Sequence, residues 1–228
     1  MPEPPPLLFA GPSTWGLSPA LFVEAGVQLL PPVRRSDVGR QAGSRARPGV
    51  MIVCDGVFQI APAVSHRELC EAIDAGWQVW GVSSLGAIRA HELRDEGMHG
   101  FGGVYEMFDR FDDFTDDEMC LLHCPVAPYF PVTEPLVNLR HALDQRGREL
   151  GIDDAAAAAV VDALRRLWFG DRTHERIRKA LIEDGGVPVQ AADQLLHWLS
   201  AHRLKTLDLA RLLRAKPWQA LGAPGRKP

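Results

Sequence analysis

Short unbroken hydrophobic runs alternate with amphipathic segments through the first hundred residues. Leu7-Leu-Phe-Ala10 is such a run, closed by Gly11-Pro12, and Ser18-Pro-Ala-Leu-Phe-Val-Glu24 predicts a helix with Ser18 as cap and Pro19 in its first turn. Val27–Leu30 predicts a second strand, stopped by Pro31-Pro32, and the Gly/Arg/Ser-rich stretch Arg34–Arg47 fits a loop or a short helix. Val50-Met-Ile-Val-Cys54 is apolar throughout, which predicts a strand buried on both faces. In Ser65-His-Arg-Glu68 the serine and glutamate can satisfy each other's orphan backbone donors, opening a helix with Leu69 and Ile73 on one face and a stop at Gly76. Trp77–Val82 reads as a fourth strand and Ser84–Glu96 as the next helix. This alternation predicts an α/β fold: an open, mostly parallel sheet flanked by helices.

Gly97–Gly103 interrupts the pattern, and Val104–Phe111 reads as helix or turn. Thr115-Asp-Asp-Glu118 predicts another capping box, while Met119–His123 fits either helix or strand. Thr133-Glu-Pro introduces a helix through Arg148 with Leu136, Leu139 and Leu143 at helical spacing. After Gly151 the pattern is helical only, over Asp153–Trp168, Thr173–Glu183, Val189–His202 and Leu207–Ala215, before a tail ending Pro-Gly-Arg-Lys-Pro. The expected organisation is an α/β core over 1–150 and an all-helical C-terminal lobe over 151–228 packed on it.

With 228 residues, 46% of them hydrophobic, the chain can bury a full core. The longest apolar run, Ala155–Val161, is far short of a bilayer span, and Met-Pro-Glu-Pro-Pro-Pro has neither a basic nor a long apolar region of the secretory kind. A cytoplasmic protein with no membrane association is expected. Cys54, Cys70, Cys120 and Cys124 have no CxxC spacing, so reduced thiols are expected. Residues 1–150 hold 12 Lys and Arg against 20 Asp and Glu, whereas 151–228 hold 13 against 9. The basic excess of the second part is too weak for a nucleic-acid footprint and suits either an acidic protein or peptide partner or plain solvated helix faces.

The strand-turn-helix around Ser84 is the strongest chemical signal. A helix start carries unpaired N–H groups and partial positive charge, which stabilise an anion or a developing oxyanion. Ser84 followed by Gly86 resembles a nucleophile elbow, with Val82 in place of the usual first glycine; the plain alternative is a helix cap. In a parallel sheet the loops Gly11-Pro-Ser-Thr14, Asp55-Gly-Val-Phe58 and Val82-Ser-Ser-Leu-Gly86 all leave carboxyl ends of strands, so Ser13, Asp55 and Ser84 are expected in one cleft. Gly11, Gly56 and Gly86 let backbone approach a bound group. Asp55 suits orienting a base or holding substrate, or else an Asx turn. Arg89 and Glu92 are spaced for a helix ion pair, or for Arg89 to fork onto a carboxylate or thiocarboxylate. His66 and His123 are general-base candidates, with His66 held neutral at a helix start; His91 and His99 are weaker ones.

Phe9-Ala-Gly-Pro-Ser13, Leu30-Pro-Pro32, Asp55-Gly-Val-Phe58, Ser65-His-Arg-Glu68, Ser84-Leu-Gly-Ala-Ile-Arg-Ala-His-Glu92, Gly97-Met98, Asp116-Asp-Glu118 and Phe169-Gly-Asp-Arg-Thr173 occur in this order. Together they resemble the TfuA family over roughly residues 7–175. Two positions depart from the pattern: Ser83 replaces a small apolar residue, and His91 replaces the second alanine of Arg-Ala-Ala-Glu. The resemblance implies a partner of YcaO-domain enzymes, which activate a peptide amide with ATP during thioamide formation. It further implies release or delivery of sulfide from a thiocarboxylated, ubiquitin-like sulfur carrier, with the precursor peptide reached through YcaO. Asn138 and Arg140 match the family's Leu-Val-Asn-Leu-Arg segment and are expected on one wall of the cleft.

On this reading Ser84, Asp55, His66 and Arg89 carry the chemistry, and Gly11, Ser13, Gly56, Ser83, Gly86, Glu92, Asn138 and Arg140 hold the ligand. Two other functions remain open: a non-catalytic adaptor that binds YcaO and presents substrate or carrier, and a serine hydrolase of esters or thioesters. The Gly11-Pro-Ser loop lacks the Lys and glycine spacing of a phosphate loop, so ATP is assigned to the partner and no cofactor is expected. Asp109, Asp112, Asp113, Asp116, Asp117 and Glu118 lack the pattern of a calcium loop, and Cys120, His123 and Cys124 lack a fourth ligand, so no metal is expected either.

Overall fold

Strands β1 (Leu7–Phe9), β2 (Gln28–Leu30), β3 (Val50–Val53), β4 (Gln78–Val82) and β5 (His99–Phe101) form one open, all-parallel sheet in the order β2-β1-β3-β4-β5. The computed structural model describes residues 4–57 and 61–221; Phe58 of the third candidate loop and the terminal tail fall outside them. The helices are α1 (Pro19–Ala25), α2 (Asp37–Ser44), α3 (His66–Asp74), α4 (Leu85–Glu92), α5 (Gly103–Arg110), α6 (Leu136–Arg146), α7 (Asp154–Arg165), α8 (His174–Glu183), α9 (Val189–Ala201) and α10 (Leu204–Ala215). Two compact units result, Met1–Asp112 with Asp208–Pro228, and Asp113–Leu207. Residue 151, where the helical lobe is expected to begin, lies within the second.

In the first unit, strand side chains alternate between two covers. Leu8, Ile52, Trp80 and Val82 pack with Leu21 and Ala25 of α1 and with Leu209, Leu212 and Leu213 of α10. The other face takes α4, whose Gly86 and Ala90 lie directly against Gly81. Phe9 pairs with Val53 and Val53 with Gly81, so β1 and β3 end level and β4 runs one residue further. Chain progression reverses between β1 and β3, which is where a doubly wound sheet opens a crevice. Here that crevice is partly filled: Val33 N–H donates to the Asp55 carbonyl at 2.9 Å, and Val57 N–H returns to the Val33 carbonyl at 3.0 Å. Gly11 has no room for a side chain, because a Cβ there would lie 2.4 Å from the Pro32 ring.

Several local expectations need correction. Gly97–Gly103 contains the edge strand β5, held by pairing of His99 and Phe101 with Trp80 and Val82. Helix α4 stops at Glu92 rather than Glu96, and Gly97 at φ 99° turns the chain into β5. Thr115 makes no cap: Asp116–Met119 is a short 3-10 helix, and the Glu118 carboxylate binds Arg140 instead of returning to the backbone. Met119–His123 is neither helix nor strand beyond Met119, with a single bridge from His123 to Pro131. The two other capping serines behave as read: Ser18 accepts from Ala20 N–H, and Ser65 with Glu68 completes both halves of its box.

The N-cap of α5 is Gly102, which has no side chain, and the missing cap comes from α10. Asp208 accepts the Val104 N–H at 2.8 Å while fully buried. Burial pushes the Asp208 carboxyl up to about 6, against the N–H groups of Val104 and Gly103 and the cation of Arg211, with Glu106 adding repulsion. The native state therefore keeps a proton between about pH 4 and 6 that the unfolded chain has lost, and stability falls as pH rises through that window. Asp208→Asn retains the acceptor without the charge. It is expected to remove the part of the pH dependence between about pH 4 and 6 that belongs to this group, read as the wild-type-minus-variant difference in thermal unfolding.

The second unit is a helix cluster. Leu136, Leu139 and Leu143 of α6 pack with Val160, Val161 and Leu164 of α7, Ile177 and Leu181 of α8, and Leu195 and Leu199 of α9. The helical spacing read at 136, 139 and 143 thus marks its buried stripe.

Candidate functional site

Asp55, directly after β3, is 2% exposed and organises the loop after β1. Its Oδ2 accepts the N–H groups of Gly11 and Ser13 at 2.8 and 3.0 Å, and its Oδ1 accepts the Ser13 hydroxyl at 2.7 Å. Of the three residues expected in one cleft, Ser13, Asp55 and Ser84, these bonds join Ser13 and Asp55. The carboxylate is nevertheless occupied by its own fold, so its role is to position the Gly11-Pro-Ser turn. Gly56 follows because a Cβ there would lie 2.0 Å from Leu85 Cδ2, at the start of α4.

The β4–α4 turn is built differently from every capped helix start in the chain. Ser18, Ser65, Asp153 and Thr173 each accept an N–H of their own first turn. Ser84 stands at the N-cap of α4, yet its half-buried hydroxyl makes no cap bond. The simple capping explanation for this serine therefore fails. Ser83 has φ 66°, and the Ser84 N–H donates to the Val82 carbonyl at 2.7 Å, closing a γ-turn around it. Positive φ outside glycine costs on the order of 1–2 kcal/mol. The Ser83 side chain is also 0% exposed, with no partner for its hydroxyl among the described residues, a further cost of about 1–3 kcal/mol. Gly81-Val-Ser83 is the Gly-x-Ser half of an elbow, so the strained position is Ser83 and not Ser84. That spacing was visible in the sequence but was masked by Gly86, two residues beyond Ser84.

Gly86 fixes the helix start. A Cβ there would sit 1.8 Å from the Val53 carbonyl oxygen, and the Gly86 N–H donates to the Cys54 carbonyl at 3.2 Å. Ala87 and Ile88 N–H groups go to the Ser84 carbonyl. Leu85 N–H is left without an acceptor among the described residues. Among the described residues, one amide and two hydroxyls without a hydrogen-bond partner therefore share the positive end of α4.

His66 and Arg89 are not brought to either serine. His66 Nε2 lies 2.8 Å from Glu92 Oε2, and Arg89 Nη1 binds the same carboxylate while its Nε donates to the Val64 carbonyl at 3.3 Å. Glu92 is eight residues beyond Ser84, about 12 Å along the helix. Arg89, Glu92 and His66 thus clamp the start of α3 to the end of α4. His123 donates to or accepts from no catalytic partner but sits 2.7 Å from the Cys124 carbonyl. His91 stacks on Phe108, and burial beside Trp80 holds His99 below its ordinary value.

Asn138 and Arg140 lie in the second unit, where buried polar groups satisfy one another. Arg140 grips the fully buried Glu118 with two bonds of 2.6 and 2.7 Å. Asn138 donates to Glu134 at 2.6 Å and accepts the Lys205 N–H at 3.2 Å, while Glu134 also takes Arg203 at 3.0 Å. Arg172, fully buried, binds Asp117 and the carbonyls of Leu164 and Leu167. Sequence reasoning missed Glu134, Arg172, Arg203 and Lys205 as members of this network: Glu134 lies four residues from Asn138, but the pairs Arg172–Asp117, Arg203–Glu134 and Lys205–Asn138 join positions 55, 69 and 67 residues apart. Within the acidic run Asp113, Asp117 and Glu118 are engaged by Arg165, Arg172 and Arg140, and no cluster of three or more potential metal ligands occurs among the described residues. Burial pushes the Cys70 and Cys120 thiols up, so both stay protonated at neutral pH.

A family model described as TfuA-like protein matches residues 55–173, more than half of the chain. The chain belongs to the TfuA-like family. The matched span opens at Asp55 and closes at Thr173, so it holds the β4–α4 turn, the Glu92 clamp and the part of the second unit's polar network that precedes Arg203 and Lys205. Membership associates this TfuA-like chain with the YcaO thioamidation system. No curated protein matches it significantly. None of the described helices is long and apolar enough to cross a membrane.

Proposed function

We propose that this TfuA-like protein holds the C-terminal thiocarboxylate of a small, ubiquitin-like sulfur carrier at the start of α4 and releases its sulfide for a YcaO enzyme. The observation that carries this is the uncapped Ser84 hydroxyl beside the open Leu85 N–H, a donor pair at a helix start with no internal acceptor. Such donors favour an anion in the ground state and an oxyanion as the carbonyl carbon is attacked. The overall change balances as thiocarboxylate plus water giving carboxylate plus hydrogen sulfide. The precursor peptide and the ATP belong to the YcaO partner, and the chain would act in the cytoplasm without cofactor or metal.

Purified protein incubated with a thiocarboxylated carrier is expected to yield free sulfide and carrier carboxylate, with Ser84→Ala lowering the rate about a hundredfold. Equal rates for the two proteins would remove Ser84 from the site. A second reading is supported by a specific feature: neither serine hydroxyl meets a base, and nucleophilic serines need one. On that reading the protein is an adaptor that presents the carrier's tail to YcaO. Sulfide release only when YcaO is added, unaffected by Ser84→Ala, would favour the adaptor.

A further inference from the structure

Four non-glycine residues adopt positive φ among those described: Ser36, Ser83, Tyr129 and Lys216. Ser83 is the one among them whose side chain is also buried without a hydrogen-bond partner. Ser36 is instructive by contrast, since its backbone N–H donates to the Glu68 carboxylate, 32 residues away, at 2.6 Å. The two costs at Ser83 fall on a single residue, beside the open N–H of Leu85. Backbone strain of this kind clusters at active sites, ligand clamps and switch regions.

We propose that Ser83 is a second, latent binding residue for the carrier's anionic tail, brought into use when the γ-turn around it opens. This rests on the reading of the α4 start as the thiocarboxylate site. Opening breaks the bond from Ser84 N–H to the Val82 carbonyl, relieves the positive φ and lets the Ser83 hydroxyl leave its partnerless position. The site then offers four donors: the N–H groups of Ser84 and Leu85 and the hydroxyls of Ser83 and Ser84. An ionised carboxyl group has about four lone-pair sites on its two terminal atoms, and a thiocarboxylate presents the same two-atom anion. In the closed turn only the Leu85 N–H and the Ser84 hydroxyl are open, so half of the donors would be supplied by the ligand's own arrival. Closed and open forms differ little in energy because the closed one is strained, which keeps the cost of opening low.

The test uses the full chain and two synthetic peptides, one ending in Gly-Gly-thiocarboxylate and one in the neutral Gly-Gly-amide. Ser83→Ala is expected to raise Tm by about 2 °C or more, having lost an orphan hydroxyl, while weakening the thiocarboxylate peptide at least about tenfold. Ser18→Ala, which removes a working cap, is expected to do the opposite: lower Tm and leave affinity unchanged. Should the alanine variant fail to fold, Ser83→Gly, which suits φ 66°, gives the same two readouts. A stabilised Ser83 variant with wild-type affinity would overturn the role of Ser83 and leave the site standing. Wild-type protein that ignores the thiocarboxylate, or binds the amide equally well, would overturn the site itself and this inference with it.

Discussion

Asp55→Ala is expected to lower the unfolding free energy by about 3–5 kcal/mol and to abolish sulfide release. The substitution strands three donors at once, the N–H groups of Gly11 and Ser13 and the Ser13 hydroxyl, all facing a site that is 2% exposed. Water cannot replace the carboxylate without opening the loop, so the Gly11-Pro-Ser turn should loosen before the strands separate. Asp55→Asn offers one acceptor oxygen and turns an amide toward donors, so an intermediate loss is expected. Urea unfolding of the three proteins, with amide exchange at Gly11 and Ser13, checks both the size and the place of the effect. Equal stability of Asp55→Ala and wild type would show that the three bonds contribute nothing.

Gly86→Ala is expected to be comparably severe, on the order of 3 kcal/mol or more, although it adds only one methyl group. The atoms that it meets are the Val53 carbonyl oxygen at 1.8 Å and carbon at 2.6 Å, both backbone, so no rotamer change can make room. The start of α4 must then move off β3, breaking the bond from Gly86 N–H to the Cys54 carbonyl and spreading the donors at Ser84 and Leu85. Gly39→Ala is the matched control: α2 leaves open space there, and the change should stabilise by about 0.5–1 kcal/mol. Thermal unfolding of both variants, beside their sulfide release, separates crowding at Gly86 from a general effect of alanine. Full stability in Gly86→Ala would contradict the packing of α4 on β3.

Most of the sheet unit could be read from the chain because its signals are local. Continuous apolar runs mark β1 and β3, and the Ser65-Glu68 box announces α3 within a single turn. β5 escaped because His99-Gly-Phe101 has a glycine at its centre and no apolar run, and becomes a strand only by pairing with Trp80–Val82. The gathering of Gly11, Ser13 and Asp55 followed from parallel topology alone. What Asp55 does there did not, since a carboxylate holding a loop and one holding a substrate have the same sequence. The choice between Ser83 and Ser84 depends on which of two identical side chains takes positive φ, a property of the turn as a whole. Likewise, nothing near Arg140 or Asn138 announces Glu118 or Lys205, 22 and 67 residues away, as their partners, and Glu134, only four residues before Asn138, gives no local sign of Arg203, 69 residues on.

The most direct test of the account is an amide chemical-shift titration of the full-length chain with a Gly-Gly-thiocarboxylate peptide. Binding at the helix start predicts saturable shifts centred on Ser83, Ser84, Leu85 and Gly86, fading toward Glu92. Shifts confined to residues 113–207, or none at all, would contradict it.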